Sequence, residues 1–373
     1  MSSSMHFLYG FLAVLAFVAF AVHADPKAPV ELRGVWLKPE NTDTPAKRAE
    51  LYRKLETANL NTVFLAAWGD MNAFREFMDE SHKRGWAVHG WICNHYRTPN
   101  VDFASLSEQA AQRDWAMGIL DQYPALDGMH FDYIRDKNWG SCDRAKMDGI
   151  STTIRITNEA IKRKYPGKFL TAAVFTAATQ NYIGFKQPDG RIQWDGDVPE
   201  WYRTWWQDHP DNWYTKIPQL RPDLLQNGVF GPIQFHFQQD PVTWIRTGAL
   251  DAVMPMQYST NDNEWNAEAD MWMGFLGDLT PQTVYMGLGW WSDAGPIAGP
   301  GRQGYDAAAL VRHIKYGRSR GYKGFVIFSL GYVPQKDWEF IEALSTDSAV
   351  NGDDAPFKES AVSPLLAPPA ATE

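Results

Sequence analysis

Short apolar runs alternate with amphipathic segments along most of this chain. The runs are rich in Val, Ile, Leu and Phe without strict alternation, as expected for strands of a sheet that is covered on both faces. Eight such runs at this spacing predict a (β/α)8 TIM barrel, a fold of the α/β class. The predicted strands are Glu31–Leu37, Thr62–Trp68, Ala87–Asn94, Gly128–Arg135, Phe169–Ala177, Asp251–Ser259, Val284–Trp291 and Gly324–Gly331.

The amphipathic segments between these runs supply the predicted outer helices, because their apolar residues recur at helical spacing. An open, doubly wound sheet is the alternative arrangement of the same elements. No Gly-x-Gly-x-x-Gly follows the first run, which weakens the nucleotide-binding form of that alternative. The predicted helices are Pro45–Ala58, Met71–Arg84, Leu106–Tyr123, Thr153–Tyr165 and Ala307–Gly321.

One connection is too long for a simple barrel. Residues 178–250 separate the fifth and sixth runs and contain six tryptophans among acidic residues. Long loops are usually functional or disordered, and a Trp-rich composition argues against disorder. We interpret this insertion as a wall of the substrate cleft, with a structural subdomain as the alternative. Residues 349–373 are rich in Ala and Pro and are expected to form a disordered tail.

The amino terminus has the pattern of a signal peptide. An apolar run from Phe7 to Ala21 is followed by Val22-His-Ala24, where small residues suit cleavage after Ala24. The run is shorter than a membrane span of about 20 residues. Because no Lys or Arg precedes it, an uncleaved anchor is the alternative. We expect residues 1–24 to be removed, which leaves a barrel domain over 25–348 in the periplasm or outside the cell.

Export bears on the two cysteines of the chain, Cys93 and Cys142. Both are predicted to lie in or just beyond neighbouring strands. In an oxidising compartment they could form a disulfide, although sequence positions alone do not establish the geometry.

Aromatic residues are unusually abundant, with 17 Trp, 15 Tyr and 20 Phe making up 14% of the chain. Trp and Tyr present flat apolar faces with a polar tip, which suits the apolar faces and the hydroxyl groups of sugar rings. A Trp-rich core accounts for part of this excess. The net charge is −9, from 44 acidic and 35 basic residues, so nucleic acid is a poor partner. A neutral or cationic substrate fits this balance better.

The segment Asp127-Gly-Met-His-Phe-Asp132-Tyr-Ile-Arg135 is typical of a short buried strand with a carboxylate and a guanidinium at its carboxyl end. Barrel enzymes carry their catalytic residues at that end of the strands. Strand alternation places His130 and Asp132 on one face. An Asp at a strand end also serves as a turn former or helix cap, so a structural role for Asp132 stays open.

Polar and aromatic residues just beyond the other predicted strands complete the candidate site. Carboxylate, amide and aromatic side chains dominate this ring, and sugars are recognised by such side chains. The candidates for substrate binding are Trp68, Asn94, His95, Tyr96, His130, Arg135, Gln257, Tyr258, Trp290 and Trp291.

Paired carboxylates that cleave a glycosidic bond fit this inventory best. We expect Asp132 to lie nearest the anomeric carbon, as the nucleophile of a retaining mechanism or the base of an inverting one. If the chain curls back after the strand, Arg135 would keep Asp132 charged by lowering its pKa. The general acid needs a raised pKa and is expected among Glu264, Asp262 and Asp293, in that order, because the sixth-strand loop can reach across the barrel mouth.

Two other functions remain open. A carbohydrate-binding barrel without catalysis would keep the aromatic residues and use Asp132 to bind a sugar hydroxyl. Alternatively, His89, His95 and His130 could approach one another and hold a zinc ion, as in a metal-dependent deacetylase. No His-x-His or His-x-x-x-His pair supports that arrangement, so we expect no metal and no other cofactor.

Five segments follow one another at a characteristic spacing: Glu31-Leu-Arg-Gly-Val-Trp36, Leu60-Asn-Thr-Val-Phe64, Gly85-Trp-Ala-Val-His-Gly-Trp91, Asp127-Gly-Met-His-Phe-Asp-Tyr-Ile-Arg135 and Asp251-Ala-Val-Met-Pro-Met-Gln-Tyr258. Together they resemble the glycosyl-hydrolase-like family 10 barrels of bacteria, over roughly residues 31–340. The resemblance implies an exported (β/α)8 hydrolase that acts on a polysaccharide or oligosaccharide, with Asp132 at the centre of its site.

Overall fold

A computed structural model describes most of the predicted barrel and parts of the insertion. Trp291, Asp293, Cys142 and the signal peptide lie outside the described residues, so the expectations about them stay predictions. The described residues are 29–97, 101–136, 143–176, 178–186, 189, 191–194, 200, 203, 229–232, 237–290, 306–331, 334–346 and 355–367.

The described part of the chain contains eleven β-strands. In chain order they are β1 (Leu32–Leu37), β2 (Thr62–Ala66), β3 (Ala87–Cys93), β4 (Gly128–Asp132), β5 (Phe169–Val174), β6 (Ala178–Lys186), β7 (Ile192–Trp194), β8 (Val229–Pro232), β9 (Ala252–Pro255), β10 (Met286–Gly289) and β11 (Gly324–Phe328).

Eight of these strands pair in parallel in the order β10-β11-β1-β2-β3-β4-β5-β9. A bridge between Val253 and Val284 brings the two ends of this sheet together, so the barrel is nearly closed. The predicted (β/α)8 barrel is therefore confirmed, and all eight predicted strands are present. Most predicted strands ran past the observed carboxyl ends, because the chain turns there; Tyr133, with φ of 55°, ends β4.

Helices cover the barrel and begin where a side chain can cap them. The side chains of Thr44, Asp70 and Asn261 accept hydrogen bonds from backbone N–H groups of the first helical turn, which would otherwise lack partners. No helix among the described residues has the length and apolarity needed to cross a membrane. The helices are Pro39–Thr42, Pro45–Thr57, Met71–Lys83, Asn94–Arg97, Leu106–Gln122, Arg144–Lys164, Pro241–Arg246, Asp262–Leu276, Thr280–Thr283, Ala307–Ser319 and Pro334–Ser345, with a 3-10 turn at Gly277–Leu279.

Four of the five predicted helices match the structure within two residues of each end. The other one begins at Arg144 instead of Thr153, because Asp143 caps it earlier in the chain. The helix Asp262–Leu276 was not predicted at all, since those residues were interpreted as a loop after the sixth strand.

The barrel interior is filled with side chains. Trp36, Phe64 and Trp91 point inward from β1, β2 and β3 and pack against one another, while alternate residues such as Val35 face the helices. Gly128 makes room for this filling, because a Cβ atom there would lie 2.8 Å from His89 Nδ1. The carboxyl end of the barrel therefore stands on a packed apolar floor.

The insertion after β5 contains a small antiparallel sheet in the order β7-β6-β8. The connection between β5 and β9 thus has regular secondary structure of its own. Its role as a wall of the cleft stays a prediction.

The sequence suggests a disordered tail, but residues 355–367, which we name the C-terminal strap, are packed against the barrel. Phe357 is 1% exposed, and Leu365 is buried in the interior of the barrel. The strap binds the amino ends of the strands: Asn61 Nδ2 donates to the Ala361 carbonyl at 3.0 Å, and His89 Nε2 lies 3.1 Å from the Leu365 carbonyl. The Ala/Pro-rich composition concealed the apolar residues that anchor this segment.

We predict that Phe357→Ala lowers the free energy of unfolding by about 3–5 kcal/mol, because it leaves a cavity in place of the buried Phe357 ring. Leu366→Ala is the matched control in the same strap, since Leu366 is 38% exposed, and it should change stability by less than about 0.5 kcal/mol. Urea unfolding of both variants measures the difference. Equal stabilities of the two variants would contradict the packing of the strap.

Candidate active site at the carboxyl end of the barrel

Asp132 is the last residue of β4 and lies buried in the barrel mouth. It is paired in register with Cys93 of β3. Its Oδ1 accepts a hydrogen bond of 2.6 Å from the Tyr133 N–H, and its Oδ2 lies 3.8 Å from Cys93 Sγ. The predicted placement of His130 and Asp132 on one strand face fits this geometry, with His130 one layer deeper.

Arg135 curls back towards Asp132, with its Nη1 at 3.7 Å from the Asp132 Oδ1. Its guanidinium lies over the rings of Tyr133 and Phe175, at 4.0 Å and 4.7 Å from their centroids. Burial raises the pKa of Asp132, and this effect outweighs the lowering by the Arg135 charge and the Tyr133 N–H. Arg135 thus curls back and lowers the pKa of Asp132 as expected, but loss of hydration is the larger effect at this depth and the net shift is upward.

Three buried polar atoms around Asp132 have no hydrogen-bond partner among the described residues: Trp91 Nε1, His95 Nδ1 and Arg135 Nη1. The Trp91 indole acts on the Asp132 carboxyl group and lowers its pKa, but it does not reach standard hydrogen-bond geometry. His95 is tied to the same turn, because its Nε2 lies 2.9 Å from the Arg135 carbonyl. Buried polar groups are nearly always paired, so this cluster marks a place where a polar ligand can bind.

A row of aromatic rings crosses the barrel mouth beside Asp132. Neighbouring ring centroids are 5.0–6.4 Å apart, within the range of favourable aromatic contacts. Tyr96 is 62% exposed and Tyr133 is 40% exposed, although both are large apolar side chains. In order of contact, this aromatic row consists of Tyr133, Tyr96, Trp68, Trp91, Phe328 and Tyr258.

The structure brings several predicted binding residues together at this mouth. Trp68, Tyr96 and Tyr258 belong to the aromatic row, and His95 and Arg135 flank Asp132. Three members of the row were missed. Strand alternation placed Tyr133 on the outer face, but its positive φ turns the ring to the mouth. Trp91 and Phe328 lie within predicted strands. Strand alternation could have identified them, because every second residue of a barrel strand faces inward.

Four other predicted binding residues are buried and make their contacts within the protein, which differs from the accessible positions that the sequence suggests. His130 is enclosed in the barrel, where its Nε2 accepts from Trp36 Nε1 at 3.0 Å and its Nδ1 lies 2.9 Å from Thr171 Oγ1. Burial holds the pKa of His130 well below its usual value, and His89 adds to this lowering, so the ring is neutral. Asn94 faces the helix Leu106–Gln122, where its Nδ2 donates to Gln112 at 3.0 Å.

Trp290 and Gln257 are the other two buried residues. Trp290 is 2% exposed, donates from Nε1 to Asp337 Oδ1 at 3.0 Å and stacks on Phe340 with centroids 4.6 Å apart. Gln257 donates to the Glu264 backbone carbonyl at 3.3 Å. Both side chains therefore make contacts that stabilise the fold.

Two of the expected general acids lie on the first turn of the helix Asp262–Leu276. Asp262 binds Arg312 at 2.8 Å and His313 at 2.9 Å on the helix Ala307–Ser319. Partial burial raises the pKa of Asp262, but Arg312 and His313 lower it further, so the net shift is downward and unsuited to a proton donor. Glu264 accepts from Ser259 Oγ at 2.7 Å, in the loop that precedes the helix Asp262–Leu276. Asp293 lies outside the described residues.

Cys93 is buried and has no disulfide partner among the described residues. Burial raises the pKa of its thiol, and the neighbouring Asp132 adds to the rise. The thiol is thus protonated and a poor nucleophile. Whether it pairs with Cys142 stays a prediction, because Cys142 lies outside the described residues.

The described residues contain no cluster of three or more His, Cys, Asp or Glu side chains suited to a metal ion. The three histidines considered for zinc do not converge. His89 contacts the C-terminal strap, His130 lies between Trp36 and Thr171, and His95 contacts the Arg135 carbonyl.

No protein-family model and no curated protein matches this chain. Solved structures do match it. A chitinase from Chromobacterium violaceum superposes with a TM-score of 0.51 at 11% identity, covering 84% of this chain and 98% of that one. The glycoside hydrolase domain of PgaB from Bordetella bronchiseptica gives 0.52 at 11% identity, covering 86% and 100%. A mutant chitinase from Cycas revoluta, in complex with (GlcNAc)4, gives 0.50 at 11% identity, covering 83% and 98%.

At this identity the likeness shows the fold. The chain is a (β/α)8 barrel of the kind that chitinases and other glycoside hydrolases use, with a buried carboxyl group and an aromatic row at its carboxyl end. Its fold is thus compatible with the hydrolase class that the sequence suggested.

We predict that stability falls as the pH drops from 7 to 5. Burial lowers the pKa of His89, of His130 and, to about 4, of His313. In the unfolded chain each histidine titrates near about 6.5, so the unfolded state binds more protons in this range and each histidine contributes a loss of up to about 1.4 kcal/mol per pH unit. Asp132, with its raised pKa, acts in the opposite direction but is a single group. Urea unfolding at pH 7, 6 and 5 measures the slope, and a flat profile would contradict neutral buried histidines.

We also predict that Trp290→Ala lowers the free energy of unfolding by about 3–5 kcal/mol, since Trp290 is a core residue. Tyr96→Ala is the matched comparison at an exposed aromatic residue and should cost less than about 1 kcal/mol. Urea unfolding separates the two variants. If Trp290→Ala is as stable as Tyr96→Ala, Trp290 is not a core residue.

Proposed function

We propose that the protein is an exported glycoside hydrolase, similar to glycosyl-hydrolase-like family 10, that cleaves a polysaccharide or oligosaccharide. The observation that carries this proposal is the buried Asp132 carboxyl group at the end of β4, beside the aromatic row. Catalytic residues of barrel enzymes lie at this end of the strands. Export rests on the apolar run and the cleavage pattern that ends at Ala24.

A sugar chain is the substrate class that suits this mouth. The exposed rings of Tyr96 and Tyr133 can stack on the apolar faces of sugar rings, and the unpartnered atoms of Trp91, His95 and Arg135 can bind hydroxyl groups. The barrels of similar fold include chitinases, one of them bound to (GlcNAc)4. A neutral glycan such as (GlcNAc)4 is therefore the first substrate to test.

The raised pKa of Asp132 changes the role proposed for it. Burial disfavours the charged form of Asp132, and a carboxyl group that holds its proton more tightly is suited to donate it to the leaving oxygen, whereas a nucleophile or base must be ionised. We therefore propose Asp132 as the general acid. Arg135 limits the rise of the pKa and keeps the group able to release its proton.

The second carboxylate must then be an ionised group at the mouth. Glu40, just after β1, is a candidate because its side chain is exposed and pairs with Lys38 at 3.9 Å. Burial raises the pKa of the Tyr96 phenol, and Cys93, Tyr133, Asp132 and Glu40 each add to the rise. Glu264 and Asp293 stay as alternatives.

We predict that Asp132→Asn lowers the hydrolysis rate by at least about a thousandfold, roughly 4 kcal/mol in the barrier, because Asn cannot donate the proton. Asp262→Asn is the matched control, since Asp262 binds Arg312 and His313 on the outer helices. Release of reducing ends from a glycan panel that includes (GlcNAc)4 measures the rates. For the wild type, kcat/KM should fall as the pH rises through the pKa of Asp132, since the acid must be protonated.

An Asp132→Asn variant that keeps more than roughly a tenth of wild-type activity, a barrier change under about 1.4 kcal/mol, would remove Asp132 from the mechanism. Melting temperatures of both variants separate loss of catalysis from loss of folding.

A carbohydrate-binding barrel without catalysis is the second candidate. It is favoured by one observation: Asp262 and Glu264 make their contacts away from Asp132, with Arg312, His313 and Ser259. Binding of a glycan by the wild type without release of reducing ends would support this candidate over the hydrolase. Acetate release that a chelator abolishes would instead indicate a metal-dependent deacetylase.

A further inference from the structure

We infer that Tyr133 has two roles in this site: its ring forms a sugar-binding subsite with Tyr96, and its backbone positions the Asp132 carboxyl group. The inference rests on the proposed function and extends it to a residue that directly follows Asp132. Each role is supported by a different observation, one on the backbone and one on the side chain.

The backbone of Tyr133 has φ of 55°, in the left-handed region that residues with a Cβ atom rarely adopt. In this turn the Tyr133 N–H donates to Asp132 Oδ1 at 2.6 Å, and the positive φ sets the direction in which the chain continues from that peptide group. The turn also closes on the other side, because the Arg135 N–H donates to the Tyr133 carbonyl at 2.9 Å. Strained backbone of this kind is concentrated at functional sites. Here the turn at Tyr133 holds the Asp132 carboxyl group in place and brings Arg135 back towards that group.

The ring of Tyr133 is held in place but not buried. The Arg135 guanidinium lies 4.0 Å from its centroid, His95 meets it at 77°, and it remains 40% exposed. Tyr96 adjoins it with centroids 6.4 Å apart and planes inclined by only 28°, so the two rings form nearly one surface. Among the exposed large apolar residues of the described chain, these two are the aromatic ones.

The surroundings of the two rings indicate a sugar as the occupant. A pyranose has an apolar face that stacks on aromatic rings and hydroxyl groups that need hydrogen-bond partners. The unpartnered His95 Nδ1 and Arg135 Nη1 belong to residues in direct contact with the Tyr133 ring. A sugar unit on this surface would therefore meet stacking and polar contacts together, next to Asp132.

The ring is tested by Tyr133→Gly, which removes the side chain and tolerates the positive φ. Binding of (GlcNAc)4 and a panel of other neutral tetrasaccharides is measured by calorimetry. For a tetrasaccharide that the wild type binds, Tyr133→Gly should raise Kd by about three- to tenfold, and Tyr133→Phe should lose less. Leu279→Ala, an exposed apolar residue outside the aromatic row, is the control and should leave Kd unchanged.

The backbone role is tested by comparing Tyr133→Ala with Tyr133→Gly. Both lack the ring, but only Ala has a Cβ atom that disfavours the left-handed conformation. The Ala variant should therefore have the lower kcat. Its pH profile should also shift: a weaker hydrogen bond from the residue 133 N–H raises the pKa of Asp132, so the fall of kcat/KM moves to higher pH.

The outcomes separate the inference from the proposed function. If the wild type binds a tetrasaccharide clearly and Tyr133→Gly binds it with the same Kd, the subsite is overturned and the proposed function stays intact. Equal kcat and equal pH profiles of the Ala and Gly variants overturn the backbone role. A wild type that neither binds nor cleaves any glycan of the panel overturns the proposed function, and the inference with it.

Discussion

The burial of one carboxyl group governs the chemistry of this barrel. Asp132 lies on a floor of packed side chains, with His130 and Trp36 in the layer below it. Water cannot hydrate the carboxylate from beneath, so the charged form is disfavoured and the pKa rises. Arg135 compensates only in part, since its Nη1 stays 3.7 Å away. The filled barrel thus shifts this carboxyl group towards its protonated form.

The two ends of the barrel differ in how far they are covered by other parts of the chain. At the amino ends of the strands, the C-terminal strap covers the opening and makes hydrogen bonds with Asn61 Nδ2 and His89 Nε2. At the carboxyl ends, polar atoms of Trp91, His95 and Arg135 are left without partners, and the rings of Tyr96 and Tyr133 stay exposed. Polar atoms without partners next to exposed rings suit this end of the barrel for binding a polar ligand.

The sequence was sufficient for the barrel because each strand is a separate local signal, and eight such signals leave few alternatives. Asp132 could be found for the same reason, since it ends a recognisable strand. Tyr133 was misassigned because alternation assumes an extended backbone, and its positive φ breaks that assumption. Trp290 was misassigned because position beyond a strand does not reveal burial, which here depends on Asp337 and Phe340, far away in the chain.

The proposed role of Asp132 as the proton donor also limits which carboxyl group can be its partner. Two carboxyl groups with different roles need different environments, and the ionised one needs solvent or a cation. Glu40 has both, because its side chain is largely exposed and Lys38 lies 3.9 Å from it. Asp262 has a cation too, but Arg312 and His313 hold it between the outer helices. In the proposed mechanism, the buried carboxyl group on β4 and the exposed carboxylate after β1 would lie on either side of the substrate, near Tyr96 and Trp68 of the aromatic row.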